Sequence, residues 1–395
     1  MNAAPHHNPS SHDWKAGGFG LYIHWPFCES KCPYCDFNSH VAGKIDQSAW
    51  LEAYRVEIRR QAAQTRGRIL QTVYFGGGTP SLMEQEVVAG LIDCVRENWQ
   101  TVNDIEITLE ANPGSVEATR FEGYRRAGVN RVSLGVQALD DVALQVLGRL
   151  HSKRQALQAL EIAKGTFDRI SFDLIYSRQF QSLNEWRAEL KQALTLAGDH
   201  ISLYQLTIED GTVFAARASR GKLAGLPNED LRADMNEITQ ELCNAAGLPA
   251  YEVSNHARPG AESRHNLIYW RGGDYIGIGP GAHGRITDDQ GRYATEAWRD
   301  PAAWLSSVTS GKGGERLRDR LSSDEIALEY LLMSLRTNEG LDLDRHAAMA
   351  GRAIPESRIA PLSDLGLVSC GNGRLKTTPK GRLVLNSILR DLATD

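Results

Sequence analysis

The chain has 395 residues, 42% of them hydrophobic, enough for two or three domains with sizeable cores at roughly 100–200 residues per domain. Its net charge of −5 argues against nucleic acid or an anionic membrane as the main partner, and no apolar run reaches the ~18 residues that span a bilayer. Three of the six cysteines crowd into a short stretch, which suits a metal site better than a disulfide framework in a chain this long.

The first segment, 1–18, is polar and lacks the apolar stretch of a secretory signal, so it reads as a flexible tail of a cytoplasmic protein. From 19 to 210 the pattern alternates. Short runs rich in Val, Ile, Leu, Tyr and Phe (21–24, 72–75, 105–109, 131–136, 169–175 and 201–207) predict strands. Between them, apolar positions recur at helical spacing over 48–64, 84–98, 116–127, 140–147, 153–164 and 183–197. Such alternation predicts an α/β fold with a parallel sheet and right-handed crossovers. Six units fall short of the eight that close a full barrel. The expectation is a partial (β/α)6 TIM-like barrel, with an open doubly wound sheet as the rival. Residues 211–310 show one helix, 230–246, and then a Gly-rich stretch without periodicity that should cover a face of the sheet. Over 311–395 the order is helices, a hairpin turning at Gly371–Gly373 and a last helix over 379–389, which resembles a winged-helix module. Its Arg316, Arg318 and Arg320 would suit phosphate, but a solvated face is the commoner meaning. In a net negative chain, covering the barrel or docking a protein is preferred.

The cysteines stand as C-x3-C-x2-C at Cys28, Cys32 and Cys35, directly after the first strand, where α/β folds place their sites. Three thiolates on a four-iron cluster leave one iron open to an outside ligand, such as the amine and carboxylate of an amino acid. Structural zinc completed by His24 or His40 is the alternative, but zinc sites normally show two ligand pairs. Cys94, Cys243 and Cys370 are scattered and read as small buried hydrophobes.

This spacing resembles the signature of the radical S-adenosylmethionine (SAM) superfamily, and the resemblance covers most of residues 20–390. Tyr22 precedes the first cysteine by six residues. Gly76-Gly77-Gly78-Thr79-Pro80 follows the second strand, Glu110 ends the third, Gln137 ends the fourth, Arg149 comes twelve residues later, and Asp173 lies in the fifth. The resemblance implies a 4Fe-4S cluster on Cys28, Cys32 and Cys35. It also implies SAM held by Tyr22, Gly77, Gly78, Thr79, Glu110, Gln137, Arg149 and Asp173. Glu110, Gln137 and Asp173 would grip ribose hydroxyls and the methionine amine, and Arg149 would pair with the methionine carboxylate.

The similarity is greatest to the branch that includes oxygen-independent coproporphyrinogen dehydrogenases and the HemW-type heme chaperones. The dehydrogenases continue past the third cysteine with Gly-Cys. Here Asp36-Phe37-Asn38-Ser39 follows, the pattern of the chaperones. The stretch His265-Asn266-Leu267-Ile268-Tyr269-Trp270 matches their His-Asn-x-x-Tyr-Trp motif, associated with heme handling. The resemblance therefore implies a heme chaperone that passes heme to acceptor proteins, including membrane-associated ones by transient contact, and that takes electrons from a separate donor. A radical SAM oxidase acting on a porphyrinogen is the runner-up. Among candidate heme ligands His265 ranks first and His283 second. The Gly277, Gly279 and Gly281 run fits a dinucleotide fingerprint poorly, and 285–292 reads as a polar turn. One departure stands out: Ser177-Arg178-Gln179-Phe180 replaces the family's usual Gly-Leu-Pro-Gly.

Overall fold

The computed structural model describes residues 12–393. Six parallel strands follow one another in space as they do in sequence: β1 (Phe19–Trp25), β2 (Ile69–Gly77), β3 (Gln100–Ala111), β4 (Arg131–Gln137), β5 (Arg169–Tyr176) and β6 (His200–Gln205). They form the partial barrel that the alternation predicts. Each of the first five is followed by a helical connection that returns the chain to the start of the next strand, as a parallel neighbour requires.

The strands carry two chemistries in alternate positions, because successive side chains point to opposite faces. Leu21 and Ile23, Val73 and Phe75, Ile107 and Leu109, Val132 and Leu134, Phe172 and Leu174 are buried in one core cluster that also holds Trp50, Ile58, Leu91, Leu160 and Leu190 of the helices. The intervening residues are polar or small. Tyr22 pairs with Tyr74, Tyr74 with Thr108, Glu110 with Ser133, Ser133 with Ser171, and Asp173 with Ser202. Parallel pairing sets these residues side by side on the face that looks into the barrel.

The sheet continues past β6 with β7 (Asn255–Ala257), which is antiparallel to it. On the other side β1 pairs in parallel with β8 (Asp274–Ile278). Then come the antiparallel β9 (His283–Asp288), β10 (Gly291–Ala297) and β11 (Glu315–Arg320). The Gly-rich stretch thus extends the sheet edge and does not lie over a face, and 285–292 is mostly strand. Its glycines hid the strand signal because they serve close backbone approach: a Cβ on Gly277 would stand 2.0 Å from the carbonyl oxygen of His283. The arginine run is the exposed strand β11, where Arg316 pairs with Glu296 and Arg318 with Glu315. Charge on an edge strand discourages pairing with another chain.

The C-terminal part has its own core, including Tyr330, Leu335, Leu341, Leu375 and Leu389. A helix (Ser323–Ser334), two shorter helices (Leu343–Ala350 and Glu356–Asp364) and a hairpin of Val368–Gly371 with Arg374–Thr377 are joined by Leu341–Asp342 as a third strand. This is a winged-helix-like arrangement.

The flexible tail was expected to reach Gly18. Its residues 1–11 lie outside the described residues, but 12–18 are built into the fold. Asp13–Ala16 forms a 3-10 turn, Asp13 pairs with Arg345 of the C-terminal part at 2.7 Å, and the Arg68 guanidinium lies 4.3 Å from the Trp14 ring centroid. Arg68 in turn reaches the fully buried Asp274 at 2.7 Å, and Arg292 approaches that carboxylate at 3.6 Å. Thr287 donates to it through both its backbone N–H and its hydroxyl. Replacing Asp274 by Ala leaves two nearly buried guanidinium groups without their anion, which costs about 3–5 kcal/mol. The Asp274→Ala variant should unfold at a clearly lower urea concentration than the wild type, with the transition followed by circular dichroism.

Candidate functional site

The carboxyl ends of the strands open into a cavity of about 340 Å³. Cys28, Cys32, Cys35, Gly77, Gly78, Thr79, Glu110, Gln137, Arg149 and Asp173 all line it. Ten of the residues singled out from the sequence therefore meet in one place, although they span positions 28 to 173.

The cysteine loop is fastened at several points. Phe27–Cys28 forms a short parallel pair with His40–Val41, and His40 N–H donates to Pro26 O at 2.7 Å. The glycine segment is zipped to it: Gly78 N–H donates to Trp25 O at 2.7 Å and Thr79 N–H to Phe27 O at 2.8 Å. Two glycines are required here. Gly77 has φ of 111°, and a Cβ there would meet the His24 ring at 2.6 Å. A Cβ on Gly78 would meet the Phe27 backbone at 2.6 Å. On the far side, the Asn38 amide donates to Pro280 O at 2.9 Å and Arg299 O at 2.8 Å, tying the loop to the extended sheet.

Two donors face the thiols. The Thr79 hydroxyl lies 3.4 Å from Cys28 Sγ, and Arg149 Nη1 lies 3.4 Å from Cys32 Sγ. Burial pushes the Cys28 and Cys35 thiols up. The other Arg149 terminal nitrogen donates to Gly135 O at 2.9 Å and to Asn112 Oδ1. Its Nε is buried without a partner, a donor left for a ligand. Among the described residues no three Cys, His, Asp or Glu side chains converge on a single metal ion. All three thiols line one cavity, and their C-x3-C-x2-C spacing offers no second ligand pair of the kind structural zinc uses. The donor set fits a cluster held by three thiolates, with a guanidinium and a hydroxyl beside them.

The acidic wall is electrostatically tense. Glu110 accepts from the Tyr74 hydroxyl at 2.8 Å and from Gly77 N–H at 3.2 Å, and Asp173 accepts from the Ser133 hydroxyl at 3.5 Å. Burial, with Asp173 adding repulsion, raises the Glu110 carboxyl to about 7. Burial raises Asp173 to about 6. Gln137 reaches the cavity from a strand end where φ is 70°, beside a break in the pairing of β4 with β5.

Three expected binding residues are not in this cavity. Tyr22 points into the barrel lower down; its hydroxyl bonds His24 Nδ1 at 2.9 Å and its ring stacks on Tyr74. It braces the site and does not line it. His265 lies at the opposite end of the barrel, on the helix Arg264–Trp270. Its Nδ1 meets Thr72 Oγ1 at 2.7 Å and its Nε2 meets the Tyr269 hydroxyl at 2.5 Å. Thr72 and Gly77 are five residues apart on β2, about 16 Å at strand rise. His265 is 1% exposed, its ring stacks on Tyr74, and burial holds it neutral with its pKa lowered to about 3. The motif closes the barrel floor, and its first-ranked heme ligand has both ring nitrogens engaged. His283 is exposed at the start of β9, outside the cavity lining. Sequence reasoning missed Asn112, Tyr74 and Tyr204. The period-two alternation of β2 and β6 pointed inward to the two tyrosines, and Asn112 stood two residues past Glu110.

The Ser177–Phe180 loop keeps a glycine-like backbone without glycine. Ser177 and Phe180 have φ of 58° and 59°. These are the positions where the family usually carries its two glycines, and each non-glycine residue there costs on the order of 1–3 kcal/mol.

Comparison with known proteins agrees with this geometry. The Radical SAM superfamily profile matches residues 22–191, and the HemN C-terminal domain profile matches 321–384. The chain is 40% identical over 377 residues to the heme chaperone HemW of Escherichia coli, covering 93% of this chain and 96% of that protein. The chain belongs to the HemW family of radical SAM proteins. It is also 38% identical over 380 residues to the heme chaperone HemW of Mycobacterium tuberculosis, covering 95% of this chain and 94% of that one. Radical S-adenosyl methionine domain-containing protein 1, mitochondrial, of Bos taurus is 37% identical over 383 residues, covering 94% and 86%. The coproporphyrinogen III oxidase HemN of Escherichia coli shares the fold, with a TM-score of 0.81 and 24% identity over 96% of this chain and 92% of that one. Membership of the radical SAM superfamily implies a 4Fe-4S cluster and SAM. No helix among the described residues is long and apolar enough to cross a membrane.

Two outcomes follow. Gly78→Ala should push the cysteine loop off the second strand and reduce the iron and sulfide retained after anaerobic reconstitution by more than half, read by metal analysis. The second concerns pH. A carboxyl whose folded pKa is raised binds more protons folded than unfolded between its two pKa values, so stability falls as pH rises through that window. For Glu110 the window runs from the usual carboxylate range to about 7, and for Asp173 to about 6. The cluster-free protein should therefore lose on the order of 4 kcal/mol from these groups between pH 5 and 7.5. Glu110→Gln should flatten the slope of urea midpoint against pH.

Proposed function

We propose that this protein is a heme chaperone, which binds heme and delivers it to acceptor proteins from a radical SAM scaffold. The observation that carries this reading is similarity along nearly the whole chain to proteins named heme chaperone HemW. The local sequence agrees. After Cys35 comes Asp36-Phe37-Asn38-Ser39, where the dehydrogenase branch has Gly-Cys. Asn38 has a structural task that a different continuation would forfeit, since its amide clamps the loop to Pro280 and Arg299.

In this reading Cys28, Cys32 and Cys35 hold the cluster, while Thr79 and Arg149 place donors beside its thiolates. Gly77 and Gly78 let the backbone approach SAM. Glu110, Gln137 and Asp173 receive its ribose and amine, and Arg149, positioned by Asn112, receives its carboxylate. When bound, the cluster supplies an electron to the sulfonium of SAM. The deprotonated Glu110 and Asp173 would place negative charge next to a cationic ligand, so SAM should bind more tightly above pH 7 than below pH 6.

The deciding experiment is anaerobic reconstitution followed by hemin titration read by absorbance. Saturable binding, with transfer of the heme to an apo-acceptor, supports the chaperone. A protein with an intact cluster that binds no hemin, yet converts coproporphyrinogen with SAM and a reductant, overturns it in favour of a porphyrinogen oxidase.

A further inference from the structure

Asn112 stands in the wall of the cluster cavity, one residue past the end of β3. Its backbone is fixed on both sides. Its N–H donates to Ser81 Oγ at 3.2 Å, and its carbonyl accepts from the Ser115 hydroxyl at 3.0 Å. The two buried serines bond each other at 2.6 Å. Pro113 opens a 3-10 turn directly behind it. The Asn112 amide is therefore carried by the end of a rigid strand, which holds a side chain more exactly than a loop does.

The chemistry of its neighbours dictates which way the amide faces. One terminal nitrogen of Arg149 meets Asn112 Oδ1. A guanidinium only donates, so the amide oxygen must face it and the amide nitrogen must face the other way. That nitrogen lies 3.4 Å from Thr79 Oγ1, and the buried Thr79 hydroxyl lies 3.4 Å from Cys28 Sγ. With its oxygen accepting from Asn112, the hydroxyl has its single proton for the sulfur. The other terminal nitrogen of Arg149 lies 3.4 Å from Cys32 Sγ. Arg149 therefore acts on two thiols, on Cys32 directly and on Cys28 through Asn112 and Thr79. Every bond of the longer route points from the arginine toward the sulfur, so each polarises the next. Arg149 lines the cavity, and its Nε is buried without a partner, a donor left for the SAM carboxylate.

We infer that Asn112 is a positioning residue that ties the SAM carboxylate site to the cluster, so that occupancy of the one sets the reduction potential of the other. The inference rests on the placement of cluster and SAM given under the proposed function, and not on the heme. Hydrogen bonds to the sulfurs are among the influences that set the potential of an iron–sulfur cluster. A carboxylate taken up by Arg149 draws on the guanidinium that feeds both routes, so its arrival is felt at two of the three thiolates. Such coupling is reciprocal. The factor by which SAM prefers one oxidation state of the cluster equals the factor by which it shifts the one-electron equilibrium. The cluster thus accepts its electron at a potential that registers whether SAM is in place.

The test is a reductive titration of the full-length, anaerobically reconstituted protein, followed by electron paramagnetic resonance with and without SAM. It compares wild type with Asn112→Ala, Thr79→Val and Ser39→Ala, each at the iron and sulfide content of the wild type. In the wild type SAM should move the midpoint potential. Thr79→Val keeps the side-chain shape without the hydroxyl, so its midpoint without SAM should fall below that of the wild type. It cuts the route to Cys28 and spares the bond to Cys32, so roughly half of the SAM-induced shift should be lost. Asn112→Ala also frees the arginine. It should lose more of the shift and bind SAM at least about tenfold more weakly, the scale of one hydrogen bond to a charged group. Ser39→Ala removes a buried hydroxyl beside Cys28 and Cys35 that lies off the route, and should leave the shift whole. A shift of wild-type size in Asn112→Ala and Thr79→Val overturns the inference. So does an equal loss in Ser39→Ala, or a wild type that binds SAM with no change in midpoint. Should Asn112→Ala fail to retain the cluster, Thr79→Val against Ser39→Ala decides. A wild type that shows the coupling yet binds no hemin supports this inference and overturns the chaperone reading.

Discussion

The structure depends on a single alternation carried through six parallel strands. Apolar side chains face the helices and polar ones face the barrel interior, and the in-register parallel pairing aligns them strand to strand. The outer face supplies the hydrophobic burial that holds the sheet to its helices. The inner face is thereby free to carry Tyr74, Glu110, Ser133, Asp173 and Tyr204, an interior that would be costly to bury unpaired. A one-residue slip in any strand would send its carboxylates into the core and its leucines into the cavity. Stability and site assembly thus rest on the same register.

The cluster loop shows how such a scaffold places a flexible segment. The loop has almost no regular structure, yet it is held by the glycine segment on one side and by Asn38 on the other. Gly78 permits the closest approach, and Thr79 uses it to bring a hydroxyl to Cys28. Positioning by backbone contacts from rigid strands is more exacting than positioning by the loop itself. At Cys28 the Thr79 hydroxyl opposes the burial that raises the thiol.

The two ends of the barrel divide the labour. The carboxyl end is open and polar, with burial tuning Glu110 and Asp173 toward neutral pH. The other end is sealed by the helix Arg264–Trp270, whose His265 is locked between Thr72 and Tyr269. Barrel closure accounts for the histidine and the tyrosine of that motif, which bond to Thr72 and to each other. The Ser177–Phe180 loop departs from its family's sequence but keeps a glycine-like backbone, and its strain is concentrated beside a groove behind the cluster cavity.

Much of the architecture was legible in the sequence. Helix and strand periods differ, so the six alternating units, and hence the parallel barrel, could be read directly, as could the three cysteines at a strand's carboxyl end. The order of Glu110, Gln137 and Asp173 on successive strands foretold that they would share a cavity, because parallel strands bring equivalent ends together. The sheet extension was not legible, since Gly277 and Gly284 serve backbone packing and erase the strand pattern. Nor was the anchoring of residues 12–18, which depends on Arg68 and Arg345 from remote positions. The family resemblance, not spacing, marked His265 as a heme ligand. Only the tertiary structure shows that both its ring nitrogens already have partners, Thr72 and Tyr269, because one comes from a strand remote in sequence and the other from the packed helix.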